Sequence, residues 1–361
     1  MRMQLKVEDS TALKGLAILL MIFHHCYRTM DYISEYSIVS YPFSEGALVN
    51  IGSLFKVAMC IFAFVSGYGL YISLKKNDQN PKPMAYWIKN RLLSTLSGYW
   101  FIAVLSYIAI VLYNLAKGSS IFGKYGDNWL EQILSILADI LGISKFTGTT
   151  SLNGSWWYMS AAILTIVMAP ILYFGIKKIG GFAVFLIIAL FPRIIGMGFP
   201  GSVSPYTILE VFVVGMICSH YHFFEWYERK FCSSSLRSAI SFAVLLVLTA
   251  VFSWSTFYLT YDTFWEYKLI LIPLLLIILF TKYVFRIKWI KAILKFLGKY
   301  SMTIWLIHTF FRDYFSSIVW SVKWFLVPPL IILVMSLLVS IGIEYFKKLI
   351  QYNKWFQMKK C

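Results

Sequence analysis

Long runs of apolar residues alternate with short polar segments along the whole of this 361-residue chain. Most runs reach the roughly 20 residues that a helix needs to cross about 30 Å of hydrocarbon. Because the runs are continuously apolar and backbone groups in lipid must be satisfied internally, helices are favoured over strands. The sequence therefore predicts an all-α polytopic membrane bundle of about ten transmembrane helices. The predicted spans are at about 12–28, 51–74, 96–116, 155–176, 180–198, 204–221, 237–259, 267–285, 301–320 and 325–346.

The composition excludes a water-soluble fold and argues against a nucleic-acid partner. Hydrophobic residues make up 59% of the chain and charged residues only 14%, whereas a soluble domain carries roughly a quarter charged residues. The formal net charge is +17, but the basic residues cluster between the apolar runs, where they fix membrane topology. No separate basic domain is apparent, so no nucleic acid is expected as a partner. Residues 1–361 are expected to form a single transmembrane domain.

The charge of the connecting segments predicts how the chain is oriented. Basic segments follow the second, fourth, sixth and eighth predicted spans and form the C-terminal tail, whereas the segments after the first and seventh spans are acidic. With ten spans, all the basic segments fall on one side, which is cytoplasmic by the positive-inside rule. We therefore predict a multi-pass protein of a bacterial inner or plasma membrane, in contact with membrane lipid, with both termini cytoplasmic.

The longest connecting segment, at about 117–154, contains apolar residues with helical spacing, which predicts an amphipathic helix. This helix either lies on the outer surface of the membrane or packs against the rest of the protein.

Patterns that would indicate a metal or a nucleotide are missing from the sequence. The five cysteines have no paired spacing, and the chain has no P-loop, GxSxG or HExxH motif. A metal site, a disulfide framework and ATP hydrolysis are therefore not indicated.

Ionisable side chains inside a span are costly and usually face a cavity or a partner. The first span carries His24 and His25, and His25 lies eleven residues after Lys14, about 16 Å along a helix. A neutral imidazole can take a proton from a hydroxyl, so His25 is a candidate general base in the outer half of the membrane. The two rings point about 100° apart, so only one is expected to face a cavity. Alternatively, both histidines only form hydrogen bonds between helices.

Other polar residues mark candidate ligand contacts. Arg28 lies three residues after His25 and shares its helix face. Lys89 and Arg91 precede the third span, where an arginine either binds a phosphate or anchors the topology. Ser66 begins a Ser-Gly-Tyr-Gly segment whose glycines either let helices approach closely or interrupt the helix.

Aromatic residues and another histidine extend this set. Tyr99 lies one to two turns into the membrane from Arg91, and Trp157 lies near the start of the fourth span at the predicted outer face. An aromatic residue at this depth belongs to the interfacial belt or forms a platform for a sugar ring. His308 is a further histidine in the ninth span, and an Arg-Asp pair follows it one turn later, which argues against a purely structural role. Alternatively, the Arg-Asp pair simply lies at the outer interface.

Five segments, in this order, resemble motifs of the acyltransferase 3 family of bacterial membrane O-acyltransferases. The segments are residues 14–25, 66–67, 89–100, 157–170 and 297–308. The likeness extends from about residue 9 to residue 346, nearly the whole chain. The sequence departs from the family pattern at several positions. Lys14 replaces the commoner arginine, Asn90 and Ser94 stand where further basic residues are frequent, and Ser97 or Gly98 stands where proline is frequent. Ala161 and Ala162 stand where many polysaccharide O-acetylating members carry a glutamate.

The resemblance implies a reaction and a set of site residues. It implies that acetyl-CoA or another acyl-CoA, such as succinyl-CoA, enters from the cytoplasm as a substrate, with no permanently bound cofactor. His25, with His24 beside it, would be catalytic, as general base or as acyl carrier, and would pass the acyl group to a hydroxyl of a cell-surface glycan or lipid-linked sugar. The residues expected to bind the donor are Lys14, Lys89 and Arg91. Those expected to line the acceptor pocket are Arg28, Ser66, Tyr99, Trp157 and His308.

The alternative function is a transporter that exports a glycan or a lipid-linked sugar. Spans with polar residues along a path are typical of such proteins too. A transporter would not account for the spacing of Lys14 and His25 together with the other four segments. A purely structural membrane protein would leave the histidines in the spans unexplained.

Overall fold

The protein is built from helices. The computed structural model describes residues 5–80, 82–118, 123–126, 128–194, 204–256 and 267–356. The structure is 84% helical and has no strand in these ranges, which confirms the all-α prediction. The α-helices are α1 (Val7–Tyr27), α2 (Asp31–Glu35), α3 (Glu45–Leu54), α4 (Ala58–Gln79), α5 (Met84–Lys117), α6 (Trp129–Ile140), α7 (Ser144–Thr147), α8 (Trp157–Ile179), α9 (Gly181–Ile194), α10 (Pro205–His220), α11 (Phe223–Phe231), α12 (Ser235–Ser255), α13 (Ile272–Lys282), α14 (Lys288–Lys299), α15 (Ser301–Tyr314), α16 (Ser316–Val319), α17 (Val327–Leu349) and α18 (Tyr352–Trp355). The short helical turns are Phe55–Val57, Gly123–Tyr125, Gly154–Trp156, Tyr267–Leu271 and Val284–Arg286.

Six helical segments in the described ranges are long and apolar enough to cross a membrane. They are Glu45–Gln79, Met84–Lys117, Gly154–Ile179, Ser235–Ser255, Leu269–Arg286 and Val327–Leu349. The count rises to seven if α10 and α11, which meet at a bend of 65°, form one broken span. The prediction of about ten spans is therefore not confirmed. Parts of the predicted spans at 180–198 and 237–259 lie outside the described residues.

Helix α1 is long enough to cross a membrane, but its sequence is not apolar enough for it to be counted as a span. It has 21 residues, enough to cross about 30 Å of hydrocarbon. Its Lys14, His24 and His25 lower its average hydropathy, and it is not among the six segments. The side chains that weaken its apolar signal are the same ones that line the cavities described below.

Glycines bring two pairs of helices into close contact. A Cβ atom on Gly15 of α1 would collide with the carbonyl oxygen of Leu294, and one on Gly298 of α14 would collide with the carbonyl oxygen of Thr11. The α4–α10 pair repeats this reciprocal arrangement. There Gly67 faces the backbone of Phe212, and Gly215 faces the backbone of Phe64. Of the two roles considered for Gly67, the structure supports close packing, since α4 continues without a break through this segment.

Helix α6 occupies the long connecting segment, as the amphipathic pattern predicts, but its apolar face points outward. Its exposed apolar residues are Leu130, Ile133, Leu134 and Leu137, whereas Ser135 and Asp139 are buried. This orientation suits a helix that faces lipid and argues against simple packing of its apolar face on the protein. The carboxylate of Asp139 accepts hydrogen bonds from the Leu152 amide at 2.6 Å, Ser151 at 2.5 Å and Tyr107 at 2.9 Å. Burial raises the pKa of the Asp139 carboxyl above its usual range, and these hydrogen bonds oppose that rise.

Candidate active site

Two neighbouring cavities lie along α1. The first, here called the Lys14 cavity, has a volume of about 600 Å³. Its polar lining includes Ser10, Lys14, Ser66, Arg91, Thr95 and Ser301. The second, called the His25 cavity, has a volume of about 420 Å³. Its polar and aromatic lining includes His24, His25, Arg28, Lys56, Lys145 and Trp157.

Four side chains line both cavities and form the wall between them. They are Met21 of α1, Met59 of α4, Tyr158 of α8 and Trp305 of α15. The rings of Tyr158 and Trp305 meet edge to face, with their centroids 5.5 Å apart. A slender group held in one cavity therefore needs to pass only these side chains to reach the other.

Arg91 is held in place at the Lys14 cavity with part of its bonding capacity unused. Its Nη2 donates a hydrogen bond to Ser73 Oγ at 2.5 Å, and the Trp87 indole donates to the same oxygen at 3.1 Å. The guanidinium also lies over the Trp87 ring, 5.7 Å from its centroid. The Arg91 Nε is buried and has no hydrogen-bond partner among the described residues. As a lining residue, Arg91 can present its guanidinium to an anionic group in the cavity.

Ser66 and Lys89, two further residues predicted to contact a ligand, differ in whether they line the Lys14 cavity. Ser66 lines the Lys14 cavity, rather than the cavity that holds the histidines. Lys89, predicted to bind the donor, is exposed and lines neither cavity. The reason is the helical period, because residues two apart on α5 point about 200° away from each other. Arg91 faces inward, so Lys89 cannot.

Both histidines of α1 line the His25 cavity, although their spacing predicts that only one would. The cavity extends around the end of α1, between the Phe55–Val57 turn and α7, so it reaches two faces of the helix. His24 Nδ1 lies 2.7 Å from the carbonyl oxygen of Gly52. A carbonyl oxygen only accepts, so Nδ1 carries the hydrogen and Nε2 keeps its lone pair in the neutral ring.

His308, predicted to line the acceptor pocket, packs against His25 and is not among the residues that line the His25 cavity. Their ring centroids are 4.9 Å apart, and His308 is only 1% exposed. His308 Nδ1 donates to the carbonyl oxygen of Trp305 at 2.7 Å, whereas its Nε2 has no partner among the described residues. Arg312 of the same helix donates from Nη1 to the backbone carbonyl of His25 at 3.0 Å. Helix α15 thus holds the end of α1 at two points.

Tyr99, also predicted to line the acceptor pocket, lies away from both cavities. It is fully buried and lines neither cavity. Its hydroxyl donates to the backbone carbonyl of Asp139 at 2.5 Å, and its ring meets Trp156 edge to face at 5.2 Å. The partner carbonyl comes from the connecting segment forty residues later, a contact that the sequence of α5 does not reveal.

The remaining predicted residues, Arg28 and Trp157, do line the His25 cavity. Lys56 and Lys145 line it as well, and the sequence analysis did not select them. Lys56 could have been found, because it is an ionisable residue inside the predicted span at 51–74. Lys145 lies in a polar connection and gives no such signal. In the described ranges no group of three or more His, Cys, Asp or Glu residues could hold a metal ion.

The helices and cavities described above identify the general class of this protein. Long apolar helices packed around polar cavities make this a multi-pass membrane protein. The chain belongs to the acyltransferase 3 family, because that family's model, described as an acyltransferase domain, matches residues 8–345. The match confirms the resemblance drawn from the sequence, and membership implies a membrane acyltransferase. No curated protein and no solved structure matches the chain.

Proposed function

We propose that this protein is a membrane O-acyltransferase of the bacterial inner or plasma membrane. It would transfer an acyl group, acetyl or succinyl, from acyl-CoA to a hydroxyl of a cell-surface glycan or lipid-linked sugar. One observation carries this proposal: α1 presents a cation to one cavity and two histidines to the adjoining cavity. Only the four shared side chains separate the two cavities. Two substrates that enter by different cavities would meet at this wall.

The Lys14 cavity suits the donor. Lys14 and Arg91 form no ion pair with any residue in the described ranges, so both cations can pair with phosphate groups. The rise between Lys14 and His25, about 16 Å, is comparable to the length of an extended pantetheine arm. With its phosphates near Lys14 and Arg91, the donor would bring its thioester past the shared wall toward His25.

The His25 cavity suits the transfer itself. The acceptor oxygen would attack the thioester carbonyl carbon while His25 takes the hydroxyl proton. A new C–O ester bond forms and the C–S bond breaks. The CoA thiolate then takes the proton from His25, so that the products are an O-acylated sugar and free CoA thiol. Holding both substrates in one cavity supplies the entropic part of the rate enhancement.

His308 would orient the base. The rings of His25 and His308 are in contact, with their centroids 4.9 Å apart, although the structure forms no hydrogen bond between them. After a small rotation of either ring, the unpartnered Nε2 of His308 would accept the hydrogen on one nitrogen of His25. The other nitrogen of His25 would then carry the lone pair that takes the proton.

The test separates an enzyme from a transporter. We expect the purified full-length protein, given labelled acetyl-CoA or succinyl-CoA and a bacterial glycan extract, to release CoA and label the glycan. His25→Ala should lower this transfer by at least about 100-fold, whereas His222→Asn, at an exposed histidine of positive φ away from both cavities, should leave it unchanged. Glycan flux into vesicles without consumption of acyl-CoA would overturn the proposal in favour of the transporter.

A further inference from the structure

We infer that the Tyr158 hydroxyl and the Trp305 indole N–H stabilise the negative charge that forms on the thioester carbonyl oxygen during acyl transfer. This inference rests on the proposed function and adds two catalytic residues to it. It comes from two hydrogen-bond donors on the wall between the cavities that have no acceptor in the part of the chain that the structure describes.

The wall between the cavities is where the reacting carbonyl would lie, because the donor and the acceptor would meet there. Tyr158 and Trp305 line both the Lys14 cavity and the His25 cavity. The other two side chains of the wall, Met21 and Met59, end in thioethers, which cannot donate a hydrogen bond. The phenol and the indole therefore supply all the side-chain donors of the wall.

Neither of these donors is used to hold the fold together. The Tyr158 hydroxyl and the Trp305 indole nitrogen donate to no other described residue, and neither atom is sealed from solvent. Nearby aromatic donors do have partners. The Trp156 indole donates to the Leu306 carbonyl at 2.9 Å, and the Trp87 indole donates to a serine hydroxyl at 3.1 Å. Because such donors are normally paired inside a protein, the two on the wall are available to a ligand.

Both donors are held in position by their surroundings. The Tyr158 ring meets the Trp157 ring edge to face at 5.8 Å and the Trp305 ring at 5.5 Å. The backbone carbonyl of Trp305 accepts a hydrogen bond from His308 at 2.7 Å, and His308 packs against His25. Helix α15 thus links one donor to the proposed base. Donors that are positioned in advance need no reorganisation when the charge develops.

The wall carries no charged side chain, although both cavities hold cations. Each cation among the described lining residues lines only one cavity: Lys14 and Arg91 line the first, and Arg28, Lys56 and Lys145 line the second. The neutral donors are therefore the polar groups common to both cavities. Such donors suit a charge that exists only during the reaction, since they interact more strongly with an anionic oxygen than with a neutral carbonyl.

The role of the donors follows from the movement of electrons in the transfer. As the acceptor oxygen bonds to the carbonyl carbon, one electron pair of the C=O bond moves onto the carbonyl oxygen, which becomes an anion. Tyr158 and Trp305 would each donate a hydrogen bond to this oxygen. When the C–S bond breaks, the electron pair returns to the C=O bond. CoA leaves as the thiolate and takes the proton from His25.

The first test removes the phenol hydroxyl. Tyr158→Phe keeps the ring in the wall. With the full-length protein, labelled acetyl-CoA and a bacterial glycan extract, we expect kcat to fall by about 100-fold, while KM for both substrates stays unchanged. Tyr345→Phe, at an exposed tyrosine that lines neither cavity, is the matched control and should retain the wild-type kcat. An undiminished kcat for Tyr158→Phe would overturn the inference.

The second test removes the indole N–H. Replacement of Trp305 by 3-benzothienylalanine exchanges the N–H for a sulfur atom and leaves the shape of the two rings nearly unchanged. We expect kcat to fall by about 100-fold here as well. The same replacement at Trp289, which is exposed and lines neither cavity, should have no effect. Equal activity of the two replaced proteins would contradict a role for the Trp305 donor.

Two further measurements separate the possible failures. Calorimetry should give an affinity for acetyl-CoA within about twofold of wild type for both changes in the wall. Loss of binding together with activity would assign these groups a structural role, and a higher KM with unchanged kcat would make them ground-state contacts. Either result contradicts the inference. If the wild-type protein never consumes acetyl-CoA, the proposed function fails and the inference fails with it. If the wild type transfers label and both changed proteins match it, only the inference fails.

Discussion

The two cavities share a wall but are built from different kinds of structure. Five long or medium helices, α1, α4, α5, α8 and α15, surround the Lys14 cavity. The glycine contacts of α1 with α14 and of α4 with α10 fix two of these helices. The His25 cavity shares α1, α4, α8 and α15 with the Lys14 cavity but is completed by short elements, namely the Phe55–Val57 turn, α7 and the Gly154–Trp156 turn. A rigid frame thus stands where a common donor would bind, and short connections, which tolerate sequence change, stand where the acceptor would vary.

The largest effect is expected from a methyl group placed in the rigid frame. Gly67→Ala puts a Cβ against the backbone of Phe212, so α4 and α10 must separate, at a cost of about 3 kcal/mol or more. Gly154→Ala, in the wall of the His25 cavity, meets nothing within 4 Å and should be nearly neutral. Thermal unfolding of the purified variants measures the difference.

Gly69→Ala is the control on the same helix, because its Cβ would also meet nothing within 4 Å. If Gly67→Ala and Gly154→Ala unfold at the same temperature, the contrast between a rigid and a permissive cavity fails.

The second effect comes from closing the shared wall. Met59→Trp adds a large ring between the cavities and should lower acyl transfer by about 100-fold, because the reacting groups can no longer meet. Binding of acyl-CoA, measured by calorimetry, should persist within a few-fold. Met59→Leu conserves volume and is expected to retain most activity. Full activity of Met59→Trp would show that the substrates do not meet across this wall.

The third effect concerns His308, which touches neither substrate in the proposed geometry. In His308→Asn the amide can still donate to the Trp305 carbonyl, but it leaves no acceptor at the position of Nε2. In His308→Gln the longer side chain restores that acceptor. We expect kcat to fall by up to about 100-fold in the Asn variant and to recover partly in the Gln variant, with KM for acyl-CoA unchanged. Equal activity of the two variants would reduce His308 to a packing role.

The smallest effect is expected at Arg91, on the donor side. Arg91→Lys removes the planar fork held by Ser73 and leaves no counterpart of the buried Nε. KM for acyl-CoA should rise by roughly five- to tenfold with little change in kcat. Lys89→Gln is the matched control and should have no effect, since Lys89 lines neither cavity. A higher KM for the Lys89 variant would restore its predicted donor role.

The placement of a residue can be predicted from the sequence where one helix carries all the information. The relation between Lys14 and His25 follows from the period of α1 alone, and both residues line cavities. Placement cannot be predicted in this way where a partner comes from a distant segment. Tyr99 is held by the Asp139 carbonyl, and His308 is set against His25, which is 283 positions earlier in the chain.

The span count shows a different limit. Hydropathy identifies helices that face lipid, but α1 is enclosed by other helices and carries polar side chains into the protein interior. A helix that carries polar side chains into the protein interior has both a low average hydropathy and a position among other helices. The charge of the His25 cavity was equally hidden, since Arg28, Lys56 and Lys145 are spread over three elements.

The continuity of α1 also sets an angular register between Lys14 and His25. Eleven residues advance an α-helix by three full turns and about 20°, so Lys14 and His25 project from nearly the same side. Inserting one residue between them would lengthen the separation by only about 1.5 Å but would swing the imidazole by about 100°. The glycine contact at Gly15 holds α1 next to Lys14, and Arg312 holds its C-terminal end, so the helix cannot rotate to compensate. The number of residues between Lys14 and His25 is therefore constrained by the direction of the imidazole rather than by the distance. A flexible donor could adapt to a small change in that distance, but it could not adapt to an imidazole that points away from the cavity.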